Sequence, residues 1–162
     1  MAWANKYLLL LVNTGSDREM KRAAVDMMVD RQVDGLIYAT MFHREANPPE
    51  AVRQLPTVLL DCFVADRSLP SVVPDELNGG RNATAFLLAK GHRRIGFINN
   101  IDPIPATWGR LAGYKQALSA YEVPFDESLV VTGLSEQKWG YDGAMALMQR
   151  PDRPTALFCF ND

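Results

Sequence analysis

One helix-and-strand unit, residues 73–98, most constrains the fold of this chain. Asp75 is a good helix N-cap, because its carboxylate can accept hydrogen bonds from the free amides of the first turn. Apolar and small residues then recur at helical spacing, at Leu77, Gly80, Thr84, Leu87 and Leu88. This row predicts a helix with one face packed on a sheet, and Gly91 is suited to end it in the left-handed conformation. The apolar run at residues 95–98 is too short for a helix and predicts a buried strand.

The rest of the chain repeats this alternation of strand and helix. Continuous apolar runs predict parallel strands covered on both faces, at residues 7–12, 36–39, 57–60, 71–73, 95–98, 129–131 and 156–160. Helical patterns lie between them, at residues 17–31, 50–54, 106–121 and 139–148. This order predicts an α/β fold with doubly wound parallel sheets.

Two of the predicted helices carry more specific expectations. Ser16 and Glu19 have the spacing of a capping box at the start of the first helix. The predicted buried face of that helix comprises Met20, Ala24, Met27 and Met28. The predicted buried face of the helix at residues 139–148 comprises Tyr141, Ala144, Met145 and Met148. Core packing explains these methionines better than a pliable partner surface does.

Composition argues against several classes of function. The 162 residues suffice for one domain or two small lobes, and their net charge of −2 disfavours nucleic-acid binding, which normally needs a basic face. Cys62 and Cys159 both lie in apolar runs, so we expect small buried side chains and neither a disulfide nor a metal site. No apolar run approaches the ~20 residues of a membrane span, and no signal peptide is recognised, which indicates a cytoplasmic protein without membrane contact.

Polar residues collect at the ends of the predicted strands, where open parallel sheets bind ligands. They are Asn13, Thr14, Thr40, Asp61, Asp75, Asn99, Asn100, Asp102, Asn161 and Asp162, with Arg110 in the first turn of its helix. Carboxylates, amides and a guanidinium can grip the vicinal diols of a polyhydroxylated ligand, and Trp108 or Trp139 could supply an apolar platform for a sugar ring. For most of these residues taken singly, a turn or capping role is the better interpretation.

Motifs for catalysis are missing from the sequence. Neither a Gly-x-Gly-x-x-Gly dinucleotide loop nor a Gly-x-x-x-x-Gly-Lys-Ser/Thr phosphate loop occurs. A phosphoacceptor domain would combine Asp61 with an acidic pair after an earlier strand, and residues 13–15 contain no such pair. Cys62 would need a general base within reach, which neither His43 nor His92 is placed to supply. We therefore expect a binding protein with no catalytic residues and no cofactor.

Residues 90–98, Lys-Gly-His-Arg-Arg-Ile-Gly-Phe-Ile, closely resemble a signature of the lactose/galactose-repressor (LacI/GalR) family of bacterial transcription regulators. Further stretches resemble other signatures of that family, at residues 33–37, 110–118, 124–127 and 154–162. All of them occur in the family's order and together span nearly the whole chain.

The resemblance implies a two-lobed fold like that of the periplasmic binding proteins, with an N-terminal lobe at residues 1–93 and a C-terminal lobe at residues 94–162. In the family an effector, commonly a sugar or related metabolite, binds between the lobes and changes their angle. Four residues match positions where the family contacts its effector, namely Asp61, Arg110, Asn161 and Asp162. Further candidates are Asn13, Trp108 and Ser135. The same fold serves periplasmic sugar-binding proteins, which is the alternative function.

The resemblance also implies partners. Family members are homodimers, and the effector controls a helix-turn-helix module that binds operator DNA. This sequence holds no counterpart of that module, of the first strand and helix of the family core, or of the later part of the second lobe. We therefore expect a fragment, incomplete at both ends, that reaches operator DNA only through the absent module.

Overall fold

Strands and helices alternate along residues 3–162, which the computed structural model describes. Two three-stranded sheets result, and every strand pair in them is parallel. The predicted α/β fold with parallel sheets is confirmed. None of the helices in these residues combines the length and the apolar character needed to cross a membrane.

The first compact unit is Met1–Val73. Its sheet has the order β1-β2-β3, formed by Leu36–Glu45, Thr57–Phe63 and Ser71–Val72. Helix α1 spans Arg18–Asp30, and short 3-10 helices occupy Trp3–Asn5 and Glu50–Gln54. The buried centre of this unit consists of Leu59, Cys62 and Val64, packed against Tyr38, Ala46 and Leu69.

The second compact unit is Pro74–Asp162. Its helices are α2 (Glu76–Ala89), α3 (Pro105–Ala120) and α4 (Gln137–Met148), with a 3-10 helix at Glu127–Leu129. Its strands are β4 (Ile95–Asn100), β5 (Val130–Gly133) and β6 (Ala156–Cys159), in the order β5-β4-β6. The central strand β4 is buried along its whole length, as the apolar run at residues 95–98 predicts.

The main core of the second unit lies where α2 and α3 pack on β4. It comprises Leu88, Ile95, Phe97, Tyr114, Ala117 and Leu118. The rings of Phe97 and Phe158 stack with their centroids 4.5 Å apart, and the Tyr114 hydroxyl donates a hydrogen bond to the carbonyl of Ile95 at 2.8 Å. The ring stack joins β4 to β6, and the hydrogen bond joins α3 to β4.

The boundary between the compact units differs from the expected one near Arg93. The units divide after Val73, because α2 packs extensively on α3 and so belongs to the second unit. Gly80 and Gly113 permit this close packing, since a Cβ on Gly113 would lie 2.2 Å from the carbonyl oxygen of Leu77. The expected lobes of residues 1–93 and 94–162 stay a prediction, since these compact units are defined by packing alone.

Residues 7–12 do not form the predicted strand. No ladder partner exists for them among the described residues, and Leu11 is 88% exposed. An apolar run becomes a strand only when a neighbouring strand supplies its hydrogen bonds, and β1 pairs only with β2. The apolar run therefore has no strand partner, and the outer edge of β1 is open among the described residues.

The buried faces of two helices also differ from prediction. Asp17 caps α1, accepting a hydrogen bond from the amide of Met20 at 2.8 Å, so the expected cap at Ser16 is wrong. In α1 the buried residues are Val25 and Met28. In α4 the buried residue is Leu147, whereas Tyr141 is 65% exposed. A helix of this composition has apolar residues on several faces, and tertiary packing selects among them.

The basic cluster at residues 92–94 has structural partners. The Arg94 guanidinium forms ion pairs with Asp126 at 3.0 Å and with Asp152 at 2.5 Å. Arg93 donates a hydrogen bond to the carbonyl of Leu88 at 2.9 Å, near the end of α2. The signature at residues 90–98 therefore links the end of α2 to the amino ends of β4 and β6.

Candidate functional site

The carboxyl ends of β4, β5 and β6 meet at one edge of the second sheet, because all three strands are parallel. A cavity of about 300 Å³ opens there, beside the first turn of α4. Its polar lining comprises Asn99, Asn100, Ser135, Glu136, Gln137, Asn161 and Asp162. Its apolar lining includes Ile98, Leu134, Ala144 and Phe160. We refer to this space as the β4 cavity.

Two consecutive asparagines place amides at the end of β4. Asn100 accepts a hydrogen bond from the amide of Asp102 at 3.2 Å, and this contact closes the turn that leaves the strand. Asn99 is only 3% exposed, and its Nδ2 donates to the carbonyl of Thr107 at 3.2 Å. The Oδ1 of Asn99 has no hydrogen-bond partner among the described residues. A buried acceptor left in this state costs about 1–3 kcal/mol.

Arg110 lies behind the wall of the β4 cavity. Its Nε forms an ion pair with Glu76 at 2.8 Å, and Glu76 is only 8% exposed. Its Nη1 donates to the carbonyl of Phe160, and the guanidinium carbon lies 4.5 Å from the centroid of the Phe160 ring. Arg110 therefore holds the residue after β6 in place, and it is not among the residues that line the cavity.

Asp61 lies in the first unit, inside β2, rather than after the strand as expected. Its backbone is in the left-handed region, with φ of 59°, which costs a non-glycine residue about 1–2 kcal/mol. Its carboxylate Oδ1 is buried without a hydrogen-bond partner among residues 3–162, while its carbonyl accepts from Thr40 at 2.9 Å. Strain of this kind persists where the surrounding structure imposes it, and it concentrates at ligand-binding sites.

Asn13 lines a different cavity, of about 510 Å³, within the first unit. This cavity lies between α1, the residues that follow the exposed run, and the open edge of β1. The side chain of Asn13 accepts a hydrogen bond from the amide of Gly15 at 3.1 Å. That bond is an Asx turn, so the local contact of Asn13 is structural.

The structure brings together only some of the predicted site residues. Ser135, Asn161 and Asp162 line the β4 cavity, whereas Trp108 is exposed on α3 and does not line it. Glu136 and Gln137 also line the cavity and were not predicted. Glu136 lies immediately before α4 and Gln137 is its first residue. This position could have indicated a binding site, since the first residues of a helix beside a sheet edge often face bound ligands.

Groups suited to covalent or metal chemistry are not assembled in this region. The Cys159 side chain is exposed rather than buried as expected, and desolvation raises the pKa of its thiol, which favours the protonated form. Among residues 3–162 no three His, Cys, Asp or Glu side chains are grouped as metal ligands would be. The cavity offers hydrogen-bond donors, acceptors and apolar surface, which suit reversible binding of a small molecule.

Known proteins resemble the chain along nearly its whole length. The sequence profile for periplasmic binding proteins and the sugar-binding domain of the LacI family matches residues 2–162. The transcriptional repressor PurR of Klebsiella pneumoniae is 33% identical over 159 residues, covering 96% of this chain and 47% of the repressor. The chain thus spans about half the length of the curated relatives that it matches.

Solved structures resemble the fold as well. A protein from Rhizobium etli, assigned to the LacI family of transcriptional regulators, superposes with a TM-score of 0.85 and 32% identity. It covers 99% of this chain, which corresponds to 59% of the Rhizobium protein. A protein from Burkholderia thailandensis, assigned as a ribose operon repressor, gives a TM-score of 0.68 and 30% identity, covering 98% of this chain and 59% of its own.

Proposed function

This chain belongs to the family of periplasmic binding proteins and LacI-type sugar-binding domains, and from that membership we propose that it is the effector-sensing core of a LacI-type transcriptional regulator. The observation that carries the proposal is the β4 cavity. Polar side chains from the ends of two strands and from the start of α4 converge there on a space of ligand size.

The effector is proposed to be a sugar or a related small metabolite. Ser135, Asn161 and Asp162 supply hydroxyl, amide and carboxylate groups in the second unit. These groups can bind the hydroxyls of a sugar, and Phe160 can pack on an apolar face of its ring. In the first unit, the strained backbone and the unpaired carboxylate oxygen of Asp61 support its assignment as a further effector contact.

Arg110 is proposed to contribute to effector binding together with the residues at the end of β6. Its bonds to Glu76 and Phe160 hold the backbone next to Asn161 and Asp162. Asn13 remains a candidate contact because it follows a predicted strand, and Trp108 because its ring could supply an apolar platform for a sugar. The assignments of Asp61, Arg110, Asn161 and Asp162 rest on the family positions that they match.

The whole protein is proposed to be a homodimer in the cytoplasm that binds operator DNA through a helix-turn-helix module outside this chain. Effector binding would change the affinity of that module for DNA. The repressor relatives favour this function over that of a periplasmic sugar-binding protein, the alternative of the same fold. They also favour binding over catalysis.

Calorimetric titration of the 162-residue chain with D-ribose, D-glucose, D-galactose and D-fructose tests the proposal. D-ribose is included because the Burkholderia thailandensis neighbour is assigned as a ribose operon repressor. We expect saturable binding of at least one of these sugars, and a dissociation constant about 10-fold higher in Asp162→Asn, a loss of about 1.4 kcal/mol.

Asp142→Asn is the matched control. Asp142 lies on α4 outside the lining of the β4 cavity and pairs with Lys138 at 2.5 Å, so this substitution should leave sugar affinity unchanged. Absence of binding by all four sugars would contradict the sugar assignment. Equal affinity in Asp162→Asn and the original chain would remove the β4 cavity from the proposal.

A further inference from the structure

We propose that the apolar run at residues 7–12 of one copy of this chain pairs with the open edge of β1 in a second copy. The exchange is reciprocal, so that two copies form a closed dimer. This inference goes beyond the proposed function, since neither the run nor β1 lines the β4 cavity. Three features of the first unit support it: the edge of β1, the groove beside that edge, and the exposure of the run.

The outer edge of β1 can accept a further strand. Strand β1 (Leu36–Glu45) pairs with β2 on one side, and the described residues supply no strand on the other side. The N–H and C=O groups of such an edge are unpaired and form a template for another strand. Charged residues, prolines or bulges usually protect an edge. Residues 36–42 contain no charged residue or proline, and the register of β1 on β2 is regular from Leu36 to Ala39.

A groove follows this edge of β1. It is the cavity of about 510 Å³ in the first unit, and we refer to it as the β1 groove. Residues 36–42 line one side of it, and Ala24, Val25 and Met28 of α1 line another. Six residues of extended chain span about 20 Å, which is the length of a short strand. The apolar side chains from α1 suit a strand whose own side chains are apolar on both faces.

The run at residues 7–12 is the matching donor strand. Its sequence, Tyr-Leu-Leu-Leu-Leu-Val, is apolar or aromatic at every position, which is typical of a strand covered on both faces. Leu8 is 79% exposed and Leu9 is 73% exposed, and no strand of the described residues pairs with the run. A neighbouring strand in an apolar groove would remove these side chains from water and supply backbone hydrogen bonds.

A second copy of the chain supplies both missing partners at once. Within one copy the β1 groove separates Val12, at the end of the run, from the edge of β1. Each copy carries one run and one groove, so reciprocal exchange fills both grooves and closes with twofold symmetry. The exposed surfaces of two runs and two grooves together reach roughly the 1,200–2,000 Å² that stable protein interfaces bury.

The charges beside the groove indicate which substitutions should prevent the exchange. Lys21 and Arg44 line the β1 groove, and none of its described lining residues is acidic. Ile37 lines the groove from β1 and is 67% exposed. A lysine introduced at Leu9 in the run, or at Ile37 in the groove, would therefore bring a positive charge to an apolar contact without a counter-ion.

Light scattering combined with amide hydrogen exchange tests the proposal. We expect the 162-residue chain to have the mass of two chains, and Leu9→Lys and Ile37→Lys each to have the mass of one chain. The amides of residues 8–12 should exchange at least ~10-fold more slowly in the original chain than in Ile37→Lys, because pairing with β1 protects them. This readout matters because Ile37→Lys leaves the sequence of the run unchanged.

Val72→Lys is the matched control. Val72 lies on β3, at the opposite edge of the same sheet, and is 60% exposed, so lysine there should change neither the mass nor the exchange rates.

Three outcomes would overturn the proposal. A monomeric original chain would exclude exchange between copies, including the case in which its run is protected by its own β1. A dimer whose run exchanges as fast as in Ile37→Lys would show that another surface holds the copies together. A dimer that persists in folded Ile37→Lys would show the same, and Leu9→Lys decides this point if Ile37→Lys does not fold. Sugar binding enters none of these outcomes, so the proposed function stands or fails separately.

Discussion

Alanine substitutions at two adjacent glycines of α2, Gly79 and Gly80, should change the free energy of unfolding in opposite directions. A Cβ added to Gly80 would lie 2.3 Å from the carbonyl oxygen of Arg110 and 2.7 Å from its Cα, because α2 and α3 pack backbone against backbone there. A Cβ added to Gly79 would meet nothing within 4 Å. Alanine therefore causes a steric conflict at Gly80 and none at Gly79, within the same helix.

The magnitudes follow from two terms. Alanine in place of glycine in a helix interior stabilises by roughly 0.5–1 kcal/mol, which is the expected gain for Gly79→Ala. Overpacking costs about 1–3 kcal/mol, and the cost at Gly80 lies near the upper end because a backbone atom cannot rotate away. Gly80→Ala should then lower the free energy of unfolding by about 2 kcal/mol after the helix term is subtracted.

Urea unfolding of the two variants measures the difference. The transition of the second unit can be followed by the fluorescence of Trp108 on α3 and Trp139 on α4. We expect the midpoint to rise for Gly79→Ala and to fall for Gly80→Ala, with the two variants about 3 kcal/mol apart. A Gly80→Ala protein as stable as the original chain would refute the described packing of α2 on α3.

Three further predictions concern other parts of the chain. Arg110→Ala should lower the free energy of unfolding, measured in urea melts, by about 2 kcal/mol, because it leaves the largely buried Glu76 without its ion pair. This magnitude is reduced because the guanidinium is partly exposed to solvent. Unchanged stability would contradict the structural role of the pair. Hydrogen bonds from Ser128 and the charge of Arg94 lower the pKa of Asp126, so its contribution to stability is complete above the ordinary pKa of 3.8 and is lost as the pH falls through the lowered pKa. Asp126→Asn should therefore flatten the fall of the urea midpoint in that acid range. The same fall in the variant as in the original chain would contradict this contribution of Asp126. The open edge of β1 and the exposed run at residues 7–12 should make the isolated chain self-associate. Leu9→Lys should then reduce the mass measured by light scattering. A monodisperse monomer of the original chain would contradict the predicted self-association.

Local signals in the sequence predict much of the second unit. Asp75 caps α2 by accepting from the amide of Asn78 at 3.0 Å, as its position before the helical row predicts. The apolar run at residues 95–98 becomes the fully buried β4. Caps, turns and short apolar runs depend on residues close in sequence, which is why they can be recognised without the structure.

Features that depend on distant residues could not be predicted in this way. Residues 7–12 have the pattern of a strand, but strand formation depends on a neighbour, and none lies beside them among the described residues. The left-handed backbone of Asp61 depends on its surroundings and has no sequence signal. The pairing of Arg110 with Glu76 depends on the packing of α3 on α2.

The candidate site also combines residues that the sequence predicts with residues that only the structure reveals. Ser135, Asn161 and Asp162 line one cavity, because the parallel strands that precede them end at the same edge of the sheet. Glu136 was not predicted, because a glutamate before a helix is usually interpreted as a favourable charge at the helix start. Only the placement of α4 beside β4 shows that the same carboxylate borders a cavity.

The position of the bound effector tests the central claim most directly. We would label the chain with ¹⁵N and map amide shifts on titration with whichever sugar binds in the calorimetric panel. The largest shifts should lie at residues 99–100, 134–137 and 160–162, at the carboxyl ends of β4, β5 and β6. Shifts confined to the opposite ends of these strands, in the cavity of about 460 Å³ beside Arg94 and Leu129, would contradict the proposed effector site.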